Sequence, residues 1–127
     1  MKILVIEDHP TELKLANHVL IEAGNNVSGL ETAEHAFESI QRDKPELILL
    51  DMSLPGMDGL ALVRLLKANQ ETRDIIVVAV TSYPERFSKA LAMEAGCDAY
   101  FPKPLSTRTL PRDLEDIVKT LNNEAGG

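Results

Sequence analysis

Asp51 closes the apolar run Leu47-Ile48-Leu49-Leu50 and opens the turn-rich run Met52-Ser53-Leu54-Pro55-Gly56-Met57-Asp58-Gly59. A short, unbroken apolar run reads as a strand buried on both faces, as in a parallel sheet. A carboxylate at the carboxyl end of such a strand stands where open α/β sheets bind ligands. Other polar groups follow apolar runs in the same way. Glu7 and Asp8 follow residues 2–6, Thr81 and Ser82 follow residues 75–80, and Lys103 follows residues 99–101 after Pro102. Where those ends converge, three carboxylates, a hydroxyl and an ammonium share one crevice. Clustered carboxylates repel and raise one another's pKa, and a divalent cation removes that penalty. An all-oxygen ligand set suits Mg²⁺ (or Mn²⁺) with phosphate oxygens completing the shell. Asp51 is then able to attack a phosphoryl group as a carboxylate nucleophile. The metal and Lys103 offset charge on the phosphoryl oxygens, and Thr81 donates a hydrogen bond.

The elements that must position these groups alternate along the chain. Residues 2–6 read as a strand. Leu13, Ala16, Leu20 and Ala23 recur at helical spacing, and Gly24 marks a stop. Val27 to Leu30 is a second strand, weakened by Gly29. Ala33, Ala36, Phe37 and Ile40 mark a second helix with Thr32 as its N-cap. Residues 47–50 form a third strand, and Leu60, Leu62, Val63 and Leu66 a third helix after Gly59. Residues 75–80 are the clearest strand. Ser82 to Glu85 has capping-box spacing with Pro84 in the first turn, opening a fourth helix that ends near Ala95-Gly96. Residues 99–101 are a fifth strand. Leu110, Leu114, Ile117, Val118 and Leu121 stripe a fifth helix, and residues 122–127 read as a frayed tail. This predicts an α/β fold: a (βα)5 doubly wound parallel sheet covered on both faces.

The chain's 127 residues fit a single domain, 1–127, with a core over about 2–121. The net charge of −7, without a Lys/Arg cluster, argues against direct nucleic-acid binding. No apolar run is long enough to cross a bilayer, and residues 2–6 run into Glu7-Asp8 rather than a leader-like continuation. The single Cys97 permits no intrachain disulfide. A cytoplasmic location with no membrane contact is the expectation.

Four features together resemble the response-regulator receiver family over about residues 2–121: the acidic pair Glu7-Asp8, Asp51 with Leu54-Pro55-Gly56-Met57-Asp58-Gly59, Thr81 after a strand, and Lys103-Pro104. The resemblance implies a five-stranded sheet in the order 2-1-3-4-5. It implies Asp51 as phosphoacceptor, Glu7, Asp8, Asp51 and the Ser53 backbone carbonyl as metal ligands, and Thr81 as the switch hydroxyl. It implies Tyr100 as the aromatic that changes rotamer with Thr81, Lys103 as the phosphoryl contact, and a cis bond before Pro104. It also implies the partners: a histidine kinase or histidine phosphotransfer protein upstream and a protein target downstream. Homodimerisation through the fourth helix, fifth strand and fifth helix is a further option. Such a protein assists its own phosphorylation and is not a turnover enzyme.

Several departures bear on this reading. Position 7 is Glu where many receivers carry Asp, and Pro102 stiffens the approach to Lys103. Ser53 and Tyr83 stand two residues beyond Asp51 and Thr81, positions that in the family flank the path of the hydrolytic water. Competing readings are weaker. The alternative for Glu7 and Asp8 is helix capping, and Asp8 can do both jobs. His9, beside the acids, is not expected to be a ligand. A flavodoxin-like carrier needs a phosphate loop where Glu7-Asp8 stands, and a dehalogenase-type phosphatase needs a second Asp where Ser53 stands. The functional alternative is a pseudo-receiver that binds partners without phosphorylation.

Overall fold

A computed structural model describes residues 1–126. Its elements alternate as expected: β1 (Lys2–Ile6), α1 (Pro10–Glu22), β2 (Asn26–Leu30), α2 (Ala36–Arg42), β3 (Leu47–Asp51), α3 (Gly59–Ala68), β4 (Ile76–Thr81), α4 (Lys89–Ala95), β5 (Ala99–Pro102) and α5 (Leu110–Gly126). The strands form one parallel sheet in the order β2-β1-β3-β4-β5.

Strand character tracks position in the sheet. β1, β3 and β4 lie inside it and are almost wholly buried. β2 and β5 are the edges and remain partly exposed, which suits their glycine and proline. Pro102 tolerates its edge position because the next residue, Lys103, donates its N–H to Thr81 O (2.7 Å) and keeps the strand attached.

The two-residue period of the strands splits the core into two layers. Leu4, Ile6, Ile48, Leu50, Val77 and Ala79 meet Ile40 of α2, Leu62 and Leu66 of α3, and Ala92 of α4. Ile3, Val5, Leu47, Leu49, Val78 and Val80 meet Leu20 of α1 and Leu110 and Leu114 of α5. The sheet is therefore covered on both faces, leaving its carboxyl edge as the place for polar chemistry.

Four boundaries differ from expectation. Thr32 does not cap α2. Residues 31–35 form a bend closed by Ala36 N to Ala33 O (3.0 Å), with Ala33 buried but not helical. The Ser82–Glu85 spacing does not start α4 either. Thr81 Oγ1 takes the Tyr83 N–H (2.9 Å), Phe87 N closes a turn onto Tyr83 O, and Phe87 turns into the core. The working cap is Ser88, whose Oγ accepts from Leu91 N (3.2 Å). β4 begins one residue later than expected because Ile75 N bonds Thr72 O (3.0 Å) instead of the ladder. Finally, the helical bounds of α5 run to Gly126, past the Leu121 that ends its apolar stripe, and Gly127 lies outside the described residues.

Gly59 sets how closely α3 approaches the end of β3. A Cβ there would stand 2.7 Å from Met52 Cα and 2.9 Å from Asp51 O, both backbone atoms that cannot swing away. Asp58 caps the helix just before it, accepting from Ala61 N (2.9 Å). Substituting Gly59→Ala is expected to cost about 1–3 kcal/mol by overpacking. Urea unfolding checks this, and an unchanged midpoint would contradict the close approach.

Candidate phosphoacceptor site

The strand order decides which residues can meet. β1 and β3 are neighbours whose following connections leave on opposite faces, so a crevice opens beyond their carboxyl ends. Glu7 stays tied to the sheet through its N–H to Leu30 O (2.9 Å). Asp51 is the last residue of β3, in register with Val80. Thr81 ends β4, and the Lys103 bond to Thr81 O brings Lys103 alongside. All four are held by backbone ladders.

Glu7 (6% exposed), Asp51 (4%) and Thr81 (0%) are buried polar groups. Buried carboxylates need partners. Lys103 supplies one: its Nζ hydrogen-bonds Glu7 Oε1 and lies 3.2 Å from Asp51 Oδ2. Asp51 Oδ1 accepts from Ser53 N (2.9 Å). Burial alone would lower the Lys103 pKa, yet Glu7 and Asp51 raise it above the ordinary lysine value, so it stays charged. Burial, with Asp51 adding to it, pushes the Glu7 pKa up against the opposing pull of Lys103.

Asp8 is not used by the fold. The N-cap of α1 is His9, without a side-chain capping bond, so neither acid serves as a helix cap. Asp8 Oδ1 is buried without a hydrogen-bond partner; His9 Nδ1 lies 3.3 Å away but without bonding geometry. One ligand atom each from Glu7, Asp8, His9 and Asp51 falls within a 4.8 Å cluster. An orphaned buried oxygen among carboxylates is what an oxygen-liganded divalent cation would satisfy. His9 stands beside the acids, as its position in the sequence implies, and its imidazole contacts Glu7 Oε2 (3.1 Å) as well. Those carboxylates, Glu7 first, raise its pKa.

The remaining positions form a second group. Thr81 Oγ1 accepts from Tyr83 N, Tyr83 O accepts from Phe87 N (2.8 Å), and Phe87 O accepts from the Tyr100 hydroxyl (2.7 Å). Thr81 and Tyr100 are therefore joined through the β4–α4 connection. The Lys103–Pro104 peptide bond is cis. A cavity of about 130 Å³ opens beside Asp51 and Lys103, with Val5, Leu49 and Val80 among its walls and Leu15 and Leu110 facing them. Sequence reasoning missed Glu12, whose Oε2 lies 3.3 Å from Lys103 Nζ. The contact depends on where the first turn of α1 lies over the strand ends, which the residue spacing does not show.

Residues 3–115 match the response regulator receiver domain. The chain belongs to the response-regulator receiver family. The receiver is 30% identical over 121 residues to the polar-differentiation response regulator DivK of Brucella ovis, spanning 95% of this chain and 96% of that one. It is also similar to the receiver domain of a signal transduction histidine kinase from Syntrophus aciditrophicus. That match has a TM-score of 0.83 and 30% identity, over 94% of this chain and 90% of the other. The chemotaxis response regulator CheY4 of Vibrio cholerae shares the fold at a TM-score of 0.82 and 22% identity, over 91% and 97%. No helix among the described residues of the receiver is long and apolar enough to cross a membrane.

The electrostatics carry a sign that can be measured. Glu7's folded pKa is raised, so its ionisation costs stability at neutral pH, and that cost is relieved as pH falls toward 4.5. Asp51→Asn removes one of the causes. In chelator, Asp51→Asn is expected to flatten the rise in stability on acidification through the Glu7 titration, because Asp51 is one of the causes of that raised pKa. Urea titrations at several pH values check this, and a variant whose stability rises on acidification as steeply as the wild type would contradict the coupling of Glu7 to Asp51.

Proposed function

We propose that this receiver takes a phosphoryl group onto Asp51 and changes shape in response. The observation that carries the reading is the buried Asp51 carboxylate, 4% exposed, at a strand end with Lys103 3.2 Å from its free oxygen. The donor would be a phosphohistidine on a histidine kinase or phosphotransfer protein. An Asp51 oxygen attacks phosphorus, the O–P bond forms, the N–P bond breaks, and the donor imidazole leaves with the bonding pair. Glu7, Asp8, Asp51 and the Ser53 carbonyl would hold Mg²⁺ or Mn²⁺. That ion supplies positive charge against the phosphoryl oxygens. Lys103 supplies a second positive charge, and Thr81 a hydroxyl donor.

The new group adds about −1.5 to −2 charge, by analogy with phosphorylated hydroxyls. Lys103 follows it, and Thr81 turns toward it. Turning Thr81 removes the acceptor of the Tyr83 N–H and opens space near Tyr100, which can then leave Phe87 O. The α4–β5–α5 face changes with that connection and is the surface we assign to a downstream protein target or to a second copy. The change is a population shift; a swing from 1:99 to 99:1 needs ~5.5 kcal/mol of differential stabilisation. The protein is a phosphoacceptor, not a turnover enzyme, and the cytoplasm is where its donors would meet it.

Incubation with acetyl phosphate and Mg²⁺, followed by intact mass, tests the reading. One phosphoryl adduct is expected on the wild type and none on Asp51→Ala. An unlabelled wild type would leave a phosphorylation-independent interaction module. Tyr83 bears on the lifetime: it is 49% exposed and its N–H engages Thr81 Oγ1. Tyr83→Ala is expected to lose the phosphoryl group several-fold faster by opening the water path. A rate equal to or slower than wild type would show that the ring does not shield it.

A further inference from the structure

Lys103 holds three carboxylates at once. Its Nζ contacts Glu7 Oε1, Asp51 Oδ2 (3.2 Å) and Glu12 Oε2 (3.3 Å). An ammonium has three hydrogens to donate. All three can therefore be engaged in the resting protein, and a phosphoryl group on Asp51 has to win this ammonium from its existing partners. The three contacts are unequal. The Glu7 side chain is 8% exposed and the Asp51 side chain 4%, whereas Glu12 is 48% exposed. The Glu12 contact is the one Lys103 can surrender at least cost, because water replaces it.

Glu12 also fixes the charge at the mouth. It lies in the first turn of α1, and its Oε2 is 3.1 Å from His9 Nδ1, so the side chain bends back over the site. Glu7, Glu12 and Asp51 contact Lys103 and Asp8 clusters with Glu7 and Asp51, leaving negative charge in excess where an anionic donor must enter. A carboxylate at the rim acts on approach more than on bound affinity, and salt screens it.

We infer that Glu12 is a positioning residue that occupies one of the three Lys103 N–H donors and, with its own charge, slows phosphoryl capture. The inference rests on the phosphoacceptor reading of Asp51. Glu12 would set a threshold: the resting site is kept from reacting readily with small phosphorylated metabolites, while a docked protein donor that neutralises or displaces Glu12 overcomes it.

The test compares second-order uptake from acetyl phosphate, with Mg²⁺, in the wild type, Glu12→Gln and Glu12→Lys. At low ionic strength Glu12→Gln is expected to take up the group roughly twofold to fivefold faster, the range of one exposed charge pair. Glu12→Lys should be faster still. The gain should shrink toward wild type near 1 M salt, where the screening length falls to about 3 Å. Damage to the fold would slow uptake and would not be erased by salt. Variants no faster than wild type at low salt, or a gain that salt leaves untouched, would overturn the role given to Glu12. A wild type that takes up no phosphoryl group would overturn the phosphoacceptor reading and this inference with it.

Discussion

One ammonium shared by two buried carboxylates constrains this receiver more than any other interaction. Glu7 and Asp51 end neighbouring strands, and parallel pairing brings those ends together whether or not their charges are compatible. Lys103 makes the arrangement tolerable, and its backbone N–H, just beyond β5, is tied to Thr81 O and holds it at the site. The pairing is incomplete. Asp8 Oδ1 is left without a partner, and Glu7 is pushed toward its neutral form. A site with unmet electrostatic demand is poised for positive charge, and its ammonium is poised to be drawn to a stronger anion.

The demand is local, but the connections from it are not. The backbone between Thr81 and Phe87 carries hydrogen bonds at both ends, to the Thr81 hydroxyl and from the Tyr100 hydroxyl. This segment lies between the site and α4 and is a turn rather than a helix. It has little regular hydrogen bonding to lose, which suits the segment that the proposed switch would rearrange. The central strands, buried on both faces, are the rigid frame against which such movement is registered. Gly59 adds to that frame by letting α3 seat directly against the Asp51 backbone.

Most of the fold and the centre of the site were legible from residue types. Residues 47–50 and 75–80 announce buried strands because every position is apolar, and Asp51, Thr81 and Lys103 announce themselves by following such runs. What was not legible depends on tertiary contacts. Ser82–Glu85 has the spacing of a helix start, but Phe87 must enter the core and Thr81 claims the Tyr83 N–H, so the helix waits for Ser88. Ala33 continues a helical apolar pattern yet is buried from a bend. Glu12, in the first turn of α1, reaches the site because that turn lies over the carboxyl edge, and the sequence spacing does not give that direction.

A crystal structure of the protein with Mg²⁺ and beryllofluoride, which stands in for the phosphoryl group, tests the central claim most directly. Lys103 Nζ should be found on a fluorine of the adduct at Asp51, having left Glu12, with the Tyr100 hydroxyl no longer on Phe87 O. Beryllofluoride absent from Asp51, or bound there with Lys103 still engaging Glu7, Glu12 and the Asp51 oxygen as before, would contradict it.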